Sequence, residues 1–119
     1  MHTPGSLAGI GVDIVELARV RAMRFPARFA EYFLTAPEME SLRAAPDPAA
    51  FIASRFAAKE AVIKAFPGLM KPHWFEIAKE GVKPVVRFVS PGFAEQYRAM
   101  VALSHSTEYA AGFVAIERL

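Results

Sequence analysis

Apolar and polar positions change period several times along this chain, and each change marks a predicted element. Gly9-Ile10-Gly11-Val12-Asp13-Ile14 alternates with period two, which predicts a strand. Ile10, Val12 and Ile14 share one face of it, and Gly9, Gly11 and Asp13 share the other. A short helix is predicted from 16 to near 24, where Pro26 interrupts it. Thr35-Ala36-Pro37-Glu38 has the capping-box pattern, with proline in the first turn, and starts another helix. Asp47-Pro48 repeats the start signal and opens a long helix, which Pro67-Gly68 closes. Residues 74–79 and 84–89 then read as two strands joined by a turn at Glu80-Gly81. Ser90-Pro91 caps a short helix ending near Arg98, and 101–104 with 109–116 form a second hairpin. This order predicts an α+β fold: a mostly antiparallel sheet covered by helices, one of them long and central. No repeat, low-complexity tract or linker divides the chain, so a single domain over 1–119 is expected, with 1–8 a flexible N-terminus.

The long helix has no ordinary solvent face. At about 3.6 residues per turn, Ile52, Phe56, Ile63 and Phe66 gather on one side, while Ala53, Ala57, Ala58, Ala61 and Ala65 crowd the other. A surface helix carries charge opposite its apolar stripe; alanine there suits close packing against a second wall of protein. Glu60 and Lys64 fall along one seam, Arg55 along the opposite seam, and Lys59 inside the apolar stripe. Charges on a helix packed on both sides need partners, and a ligand can be one.

Composition narrows the class. The 119 residues are 54% hydrophobic and 22% charged, a globular and rather apolar balance that favours burial of some surface in an oligomer. With no cysteine, disulfides, thiolate metal sites and cysteine nucleophiles are excluded. No apolar run approaches the roughly 18 residues of a membrane span. Met1-His2-Thr3-Pro4-Gly5 has no basic region leading into an apolar one, so no signal peptide and a cytoplasmic location are expected. Net charge is only +2, yet Arg19, Arg21, Arg24 and Arg28 lie between Glu16 and Arg28 with no other acid among them. Such a patch attracts an acidic protein, a nucleic acid or a phosphorylated ligand, or is simply a solvated helix face. Its short span without a basic-and-aromatic platform argues against nucleic acid.

Three groups could carry chemistry. Asp13 shares its strand face with two glycines, which implies close approach of a packed helix or of a ligand; packing is the commoner reason. Glu60 and Lys64 have the i,i+4 spacing of an ordinary helix ion pair. Were Asp13 and Glu60 to converge, two carboxylates plus water would suit Mg²⁺, with Lys64 one turn along to neutralise phosphate. His105 ends a predicted strand between Ser104 and Ser106; a lone histidine there is more often structural, and no second histidine stands at metal-ligand spacing. No P-loop is present.

Taken together, Gly9-Ile10-Gly11-Val12-Asp13-Ile14 with Glu16 and Arg19, then Arg55-Phe56-Ala57-Ala58-Lys59-Glu60-Ala61 with Lys64-Ala65, then Ser104-His105 with Glu108-Tyr109-Ala110 resemble holo-[acyl-carrier-protein] synthase, the small stand-alone class of 4′-phosphopantetheinyl transferases. The resemblance runs in order from Gly9 to Leu119. It implies an enzyme that moves phosphopantetheine from coenzyme A to a serine of apo-acyl carrier protein and releases adenosine 3′,5′-bisphosphate. By resemblance, Asp13 and Glu60 hold Mg²⁺ at the pyrophosphate, Lys64 binds the same phosphate group, and Glu60 helps remove the serine proton. Arg55 and His105 contact the adenosine end, especially its 3′-phosphate. Arg19, Arg21, Arg24 and Arg28 meet the acidic helix of the carrier. The resemblance also implies a cytoplasmic homotrimer with sites between subunits, working in fatty acid or related lipid synthesis, without nucleic acid or membrane. One segment departs from the pattern: where the family commonly has a glycine-rich loop, residues 66–72 hold one glycine and two prolines. That departure motivates an alternative, a non-catalytic carrier-binding module on the same fold. Lys59 has no role in either reading.

Overall fold

The computed structural model describes residues 5–119. Strand β1 (Leu7–Glu16) leads into three short helices, α1 (Leu17–Arg21), α2 (Pro26–Glu31) and α3 (Ala36–Arg43), and then into the long helix α4 (Pro48–Ala65). A 3₁₀ turn (Pro72–Trp74) precedes the hairpin β2 (Phe75–Glu80) and β3 (Lys83–Phe88); α5 (Pro91–Gln96), β4 (Tyr97–His105) and β5 (Tyr109–Arg118) complete the chain.

All strand pairs are antiparallel, but they form two sheets where one was expected. One has the order β1-β5-β4 and the other is the β2-β3 hairpin. Pro26 also differs from expectation. It occupies the first turn of α2 and starts a helix rather than only ending one, since its fixed φ and missing N–H are both tolerated there. Of the expected flexible start, residues 1–4 lie outside the described residues; Gly5 and Ser6 hydrogen-bond to Arg118, and Leu7 opens β1.

The predicted capping box at Thr35 and Glu38 forms, and Asp47 caps α4 by accepting from the Ala50 N–H at 3.2 Å. Helix α4 is walled on both sides, as its alanines implied: Ile52, Ala53, Ala57, Ala58, Ala61 and Val62 are each at most 1% exposed. Its alanine side lies directly on the three-stranded sheet, where glycines make room. A Cβ on Gly9 would come within 1.8 Å of the Ala65 carbonyl oxygen, and one on Gly11 within 2.1 Å of that of Ala61. Across the sheet, a Cβ on Gly112 would meet the Ala57 backbone at 2.9 Å. The strand-face glycines therefore serve helix packing.

On the other side, α4 joins two cores. Its N-terminal half packs with α1–α3 around Phe29, Phe33 and Phe56, whose ring centroids are 5.1 Å apart pairwise. Its C-terminal half packs on Phe75 and Ile77 of the hairpin, in a core shared with Val114 and Ile116 from the sheet side. Phe66, at the end of α4, makes edge contacts with Phe88, Phe93 and Tyr97.

Candidate active site

Asp13 faces α4 from β1, on the same side as Gly9 and Gly11. Lys64, in the last turn of α4, donates to Asp13 Oδ1 at 2.8 Å and to the Val12 carbonyl at 3.4 Å. The simple i,i+4 bond to Glu60 is thus not made; the ammonium crosses to the strand instead. Glu60 lies one helical turn before it, half-buried. The Asp13 hydrogen bond first, then the Asp13 charge and more weakly the Glu60 charge, hold Lys64 above the usual lysine range. Both carboxylates therefore act on one cationic position, and hard oxygen donors of this kind suit Mg²⁺, which takes one or two carboxylates and fills its shell with water and phosphate oxygens. No cluster of three or more metal-ligating side chains exists among the described residues, so any cation here relies on ligands from solvent or substrate.

Arg55 leaves α4 nearer its start. It is 8% exposed, its guanidinium stands 4.5 Å from the Phe51 ring centroid, and Nε has no hydrogen-bond partner among the described residues. Burial lowers its pKa, with the Glu38 charge opposing; a guanidinium nonetheless stays protonated. An orphaned buried donor costs about 1–3 kcal/mol, which an incoming anion would offset. Arg55 lines an open cavity of about 1240 Å³ together with His105, Arg21, Lys79, Phe51 and Leu103. His105 ends β4 opposite Ala110, on the sheet face that meets α4. Ser104, its neighbour, falls on the outer face, as strand alternation requires.

The predicted residues thus form two groups. Lys64 joins Asp13, with the Glu60 charge acting more weakly on the same ammonium, at the C-terminal half of α4, while Arg55 and His105 both line the cavity, which those three do not line. Glu60 lies five positions after Arg55, about 7.5 Å along the helix axis.

The arginine patch also divides. Arg21 makes a paired contact with Asp47, at 3.1 and 2.9 Å, and belongs to the cavity wall. Arg24 and Arg28 lie 5.4 and 5.2 Å from the ring centroid of Phe25, which is 56% exposed. Arg19 is exposed on α1. Phe25 was not singled out from sequence, although an aromatic between arginines at −1 and +3 is a readable signal of a cationic surface with an apolar centre.

Lys59 finds its partners in the fold. Its ammonium meets Glu38 Oε1 at 2.8 Å and the carbonyls of Pro72 and Phe75 at 2.6 Å each. Burial pushes it below the usual lysine value, and Glu38 opposes that shift. Glu38 looked only like a cap residue in the sequence, so the pair could not be read there.

Comparison with known proteins decides the lineage. The model of the 4′-phosphopantetheinyl transferase superfamily matches residues 9–114. The chain belongs to that superfamily. Within this family it is 40% identical over 117 residues to the holo-[acyl-carrier-protein] synthase of Chlorobaculum parvum, covering 92% of this chain and 98% of that protein. It is 38% identical over 121 residues to that of an Azoarcus species, covering 92% and 96%. The crystal structure of the Bacillus anthracis synthase in complex with CoA superposes with a TM-score of 0.79 at 29% identity, covering 93% of this chain and 96% of that one. The Neisseria meningitidis synthase gives 0.81 at 28%, covering 94% and 99%. The fold expected from sequence is therefore the family fold, and the chain is an enzyme of the holo-[acyl-carrier-protein] synthase group, a phosphopantetheinyl transferase.

Proposed function

We propose that this chain transfers 4′-phosphopantetheine from coenzyme A to a serine of an apo-acyl carrier protein, with Mg²⁺, and releases adenosine 3′,5′-bisphosphate. The observation that carries the reading is one rigid helix, α4, presenting Lys64 to Asp13 at one end and the orphaned Arg55 to a cavity shared with His105 toward the other. A nucleotide substrate needs such spacing: a cation-rich pocket for its phosphate-bearing end and a separate centre at the bond that breaks.

Arg55 and His105 would take the 3′-phosphate. Lys64 would exchange part of its contact with Asp13 for the pyrophosphate, freeing the Asp13 carboxylate to share a metal with Glu60. Mg²⁺, when bound, would neutralise pyrophosphate oxygens. In the transfer, the serine oxygen attacks the phosphorus that bears the pantetheine, and the bond from that phosphorus to the bridging oxygen breaks. The serine proton passes to Glu60 directly or through water, and the bridging oxygen leaves on the adenosine bisphosphate. Lys64 holds charge that develops on the leaving oxygens.

The carrier would dock on Arg19, Arg24 and Arg28, with Phe25 as an apolar contact at the centre of the cationic surface; Arg21, tied to Asp47, would contribute from the cavity edge. Electrostatic attraction of an acidic carrier speeds and orients such an encounter.

We also infer a homotrimer. The sheet face away from α4 exposes Ile10, Val12, Ile14 and Phe113, at 59%, 60%, 64% and 49%, a continuous apolar face of the kind that marks an interface. A cavity that does not contain the Asp13, Glu60 and Lys64 group fits a site completed by a neighbour. No helix of the described residues is long and apolar enough to cross a membrane; a cytoplasmic role in fatty acid or polyketide assembly accords with the proposed substrates.

The test is direct. The protein, coenzyme A, Mg²⁺ and apo-carrier are incubated, and the carrier is weighed by mass spectrometry. Addition of one phosphopantetheine is expected. Failure with several carriers that a known transferase modifies in parallel would sink the reading, and carrier binding that persists without turnover would support the non-catalytic alternative.

A further inference from the structure

Lys59 is 1% exposed, yet its charge is fully coordinated. An ammonium has three donor positions, and three acceptors surround this one: Glu38 Oε1 at 2.8 Å, the Pro72 carbonyl at 2.6 Å and the Phe75 carbonyl at 2.6 Å. The Phe75 ring lies 4.5 Å away. Glu38 is equally committed, for Oε1 accepts from the Thr35 N–H and Oε2 from the Ile77 N–H, both at 2.8 Å. One buried point therefore ties α4 to the start of α3, to the 3₁₀ turn and to β2.

The opposite wall of α4 is of a different kind. Ala57, Ala61 and Ala65 rest on Gly112, Gly11 and Gly9. The alanine-on-glycine contacts set how close helix and sheet lie but have no side-chain ridges to interdigitate, and Val114 and Ile116 beside them add apolar packing that is not directional. Directional bonds to a charged group resist both sliding and rotation.

We propose that Lys59 is the positioning residue of the catalytic centre. By locking the axial and rotational setting of α4 on its glycine bed, it sets Lys64 against Asp13 and fixes the position of Glu60, its immediate neighbour. It touches no substrate, since its three donor positions are taken within the protein. This inference rests on the transferase reading for the role of Glu60 and Lys64, but the tie itself does not.

The experiment compares the parent with Lys59→Met and with the double variant Glu38→Gln/Lys59→Met, in which both members of the Lys59–Glu38 ion pair lose their charge together. Folding is followed by circular dichroism, Mn²⁺ affinity by electron paramagnetic resonance titration of the free protein, and steady-state transfer by kcat and KM for coenzyme A. A folded double variant is expected to bind Mn²⁺ at least tenfold more weakly and to lose tenfold or more in kcat, with KM for coenzyme A within threefold. A folded double variant with parent-like Mn²⁺ affinity and kcat would overturn the proposal. So would a double variant that cannot fold, because the tie would then be a requirement for folding rather than a positioning device. A parent that binds Mn²⁺ but transfers nothing would sink the transferase reading alone, and the Mn²⁺ comparison would still decide the role of Lys59.

Discussion

Three cations on one helix show how differently a fold can use charge. Lys59 is buried and saturated by protein acceptors, Lys64 is half exposed and paired to a strand carboxylate, and Arg55 is buried with a donor left over among the described residues. The unspent donor makes Arg55 the residue to test for ligand binding. Arg55→Ala is expected to raise KM for coenzyme A by about 10- to 100-fold, the equivalent of losing charge-assisted hydrogen bonds worth about 1.5–3 kcal/mol, with a smaller change in kcat; steady-state kinetics at saturating carrier would measure it. Lys64 makes a prediction in pH. Asp13 raises its pKa, so the stability drawn from the pair is fully present below the ordinary lysine range and is lost as pH rises through the elevated folded value. In Asp13→Asn the Lys64 titration, followed by NMR of the side-chain ammonium, should move down to the ordinary lysine range. An unchanged midpoint would show that the contact with Asp13 is not kept in solution.

At the scale of elements, the bed of glycines under α4 brings the chemistry together. Gly9, Gly11 and Asp13 share a strand face, so the spacing that admits the helix also presents the carboxylate to it. Gly11→Ala would force a methyl into the Ala61 carbonyl, which is backbone and cannot swing aside. A loss of about 1–3 kcal/mol or more is expected from such overpacking, read as a lower melting temperature. Residual activity should fall with it, since Lys64 and Glu60 move away from Asp13 when α4 lifts. Several elements were legible in the chain, because their starts depend on local chemistry: Thr35 and Glu38, Asp47 and Pro48. At α5 Pro91 stands in the first turn as expected, but Ser90 makes no side-chain cap bond and the helix ends at Gln96, where β4 begins, rather than near Arg98. Pro26 was legible as a boundary but not as a beginning, since the same fixed φ ends one helix and starts another. The separation into two sheets was not legible, for hairpin patterns do not state which strand edges pair at long range.

For the whole molecule, the outer face of the β1-β5-β4 sheet is the feature that asks for more than one copy. Ile10 stands on it at 59% exposure, on the strand face opposite Asp13. Ile10→Lys should leave the monomer folded, because that side chain is mostly exposed among the described residues, yet weaken assembly at least 100-fold. Analytical ultracentrifugation would show the parent as a trimer and the variant as a monomer, with transfer activity falling as the trimer dissociates. A monomeric parent at micromolar concentration would sink the trimer, and the cavity would then have to serve within one chain.

The sequence by itself determined the periodicities, the caps, the sidedness of the β1 strand and a helix with charge but no free face. These are local properties, set by backbone geometry and by the spacing of neighbours along the chain. It also carried the ordered motifs that belong to the family. Tertiary structure alone decided where the charges went: that Lys64 bonds Asp13 rather than Glu60, that Lys59 pairs with Glu38 from another helix, that Arg21 turns to Asp47, and that Arg55 lines a cavity that His105 also lines, its Nε without a partner among the described residues. Each of these pairs residues far apart in the chain. A side chain's choice among possible partners is settled by which groups lose their water together, and that is known only once the helix has been laid on its glycines.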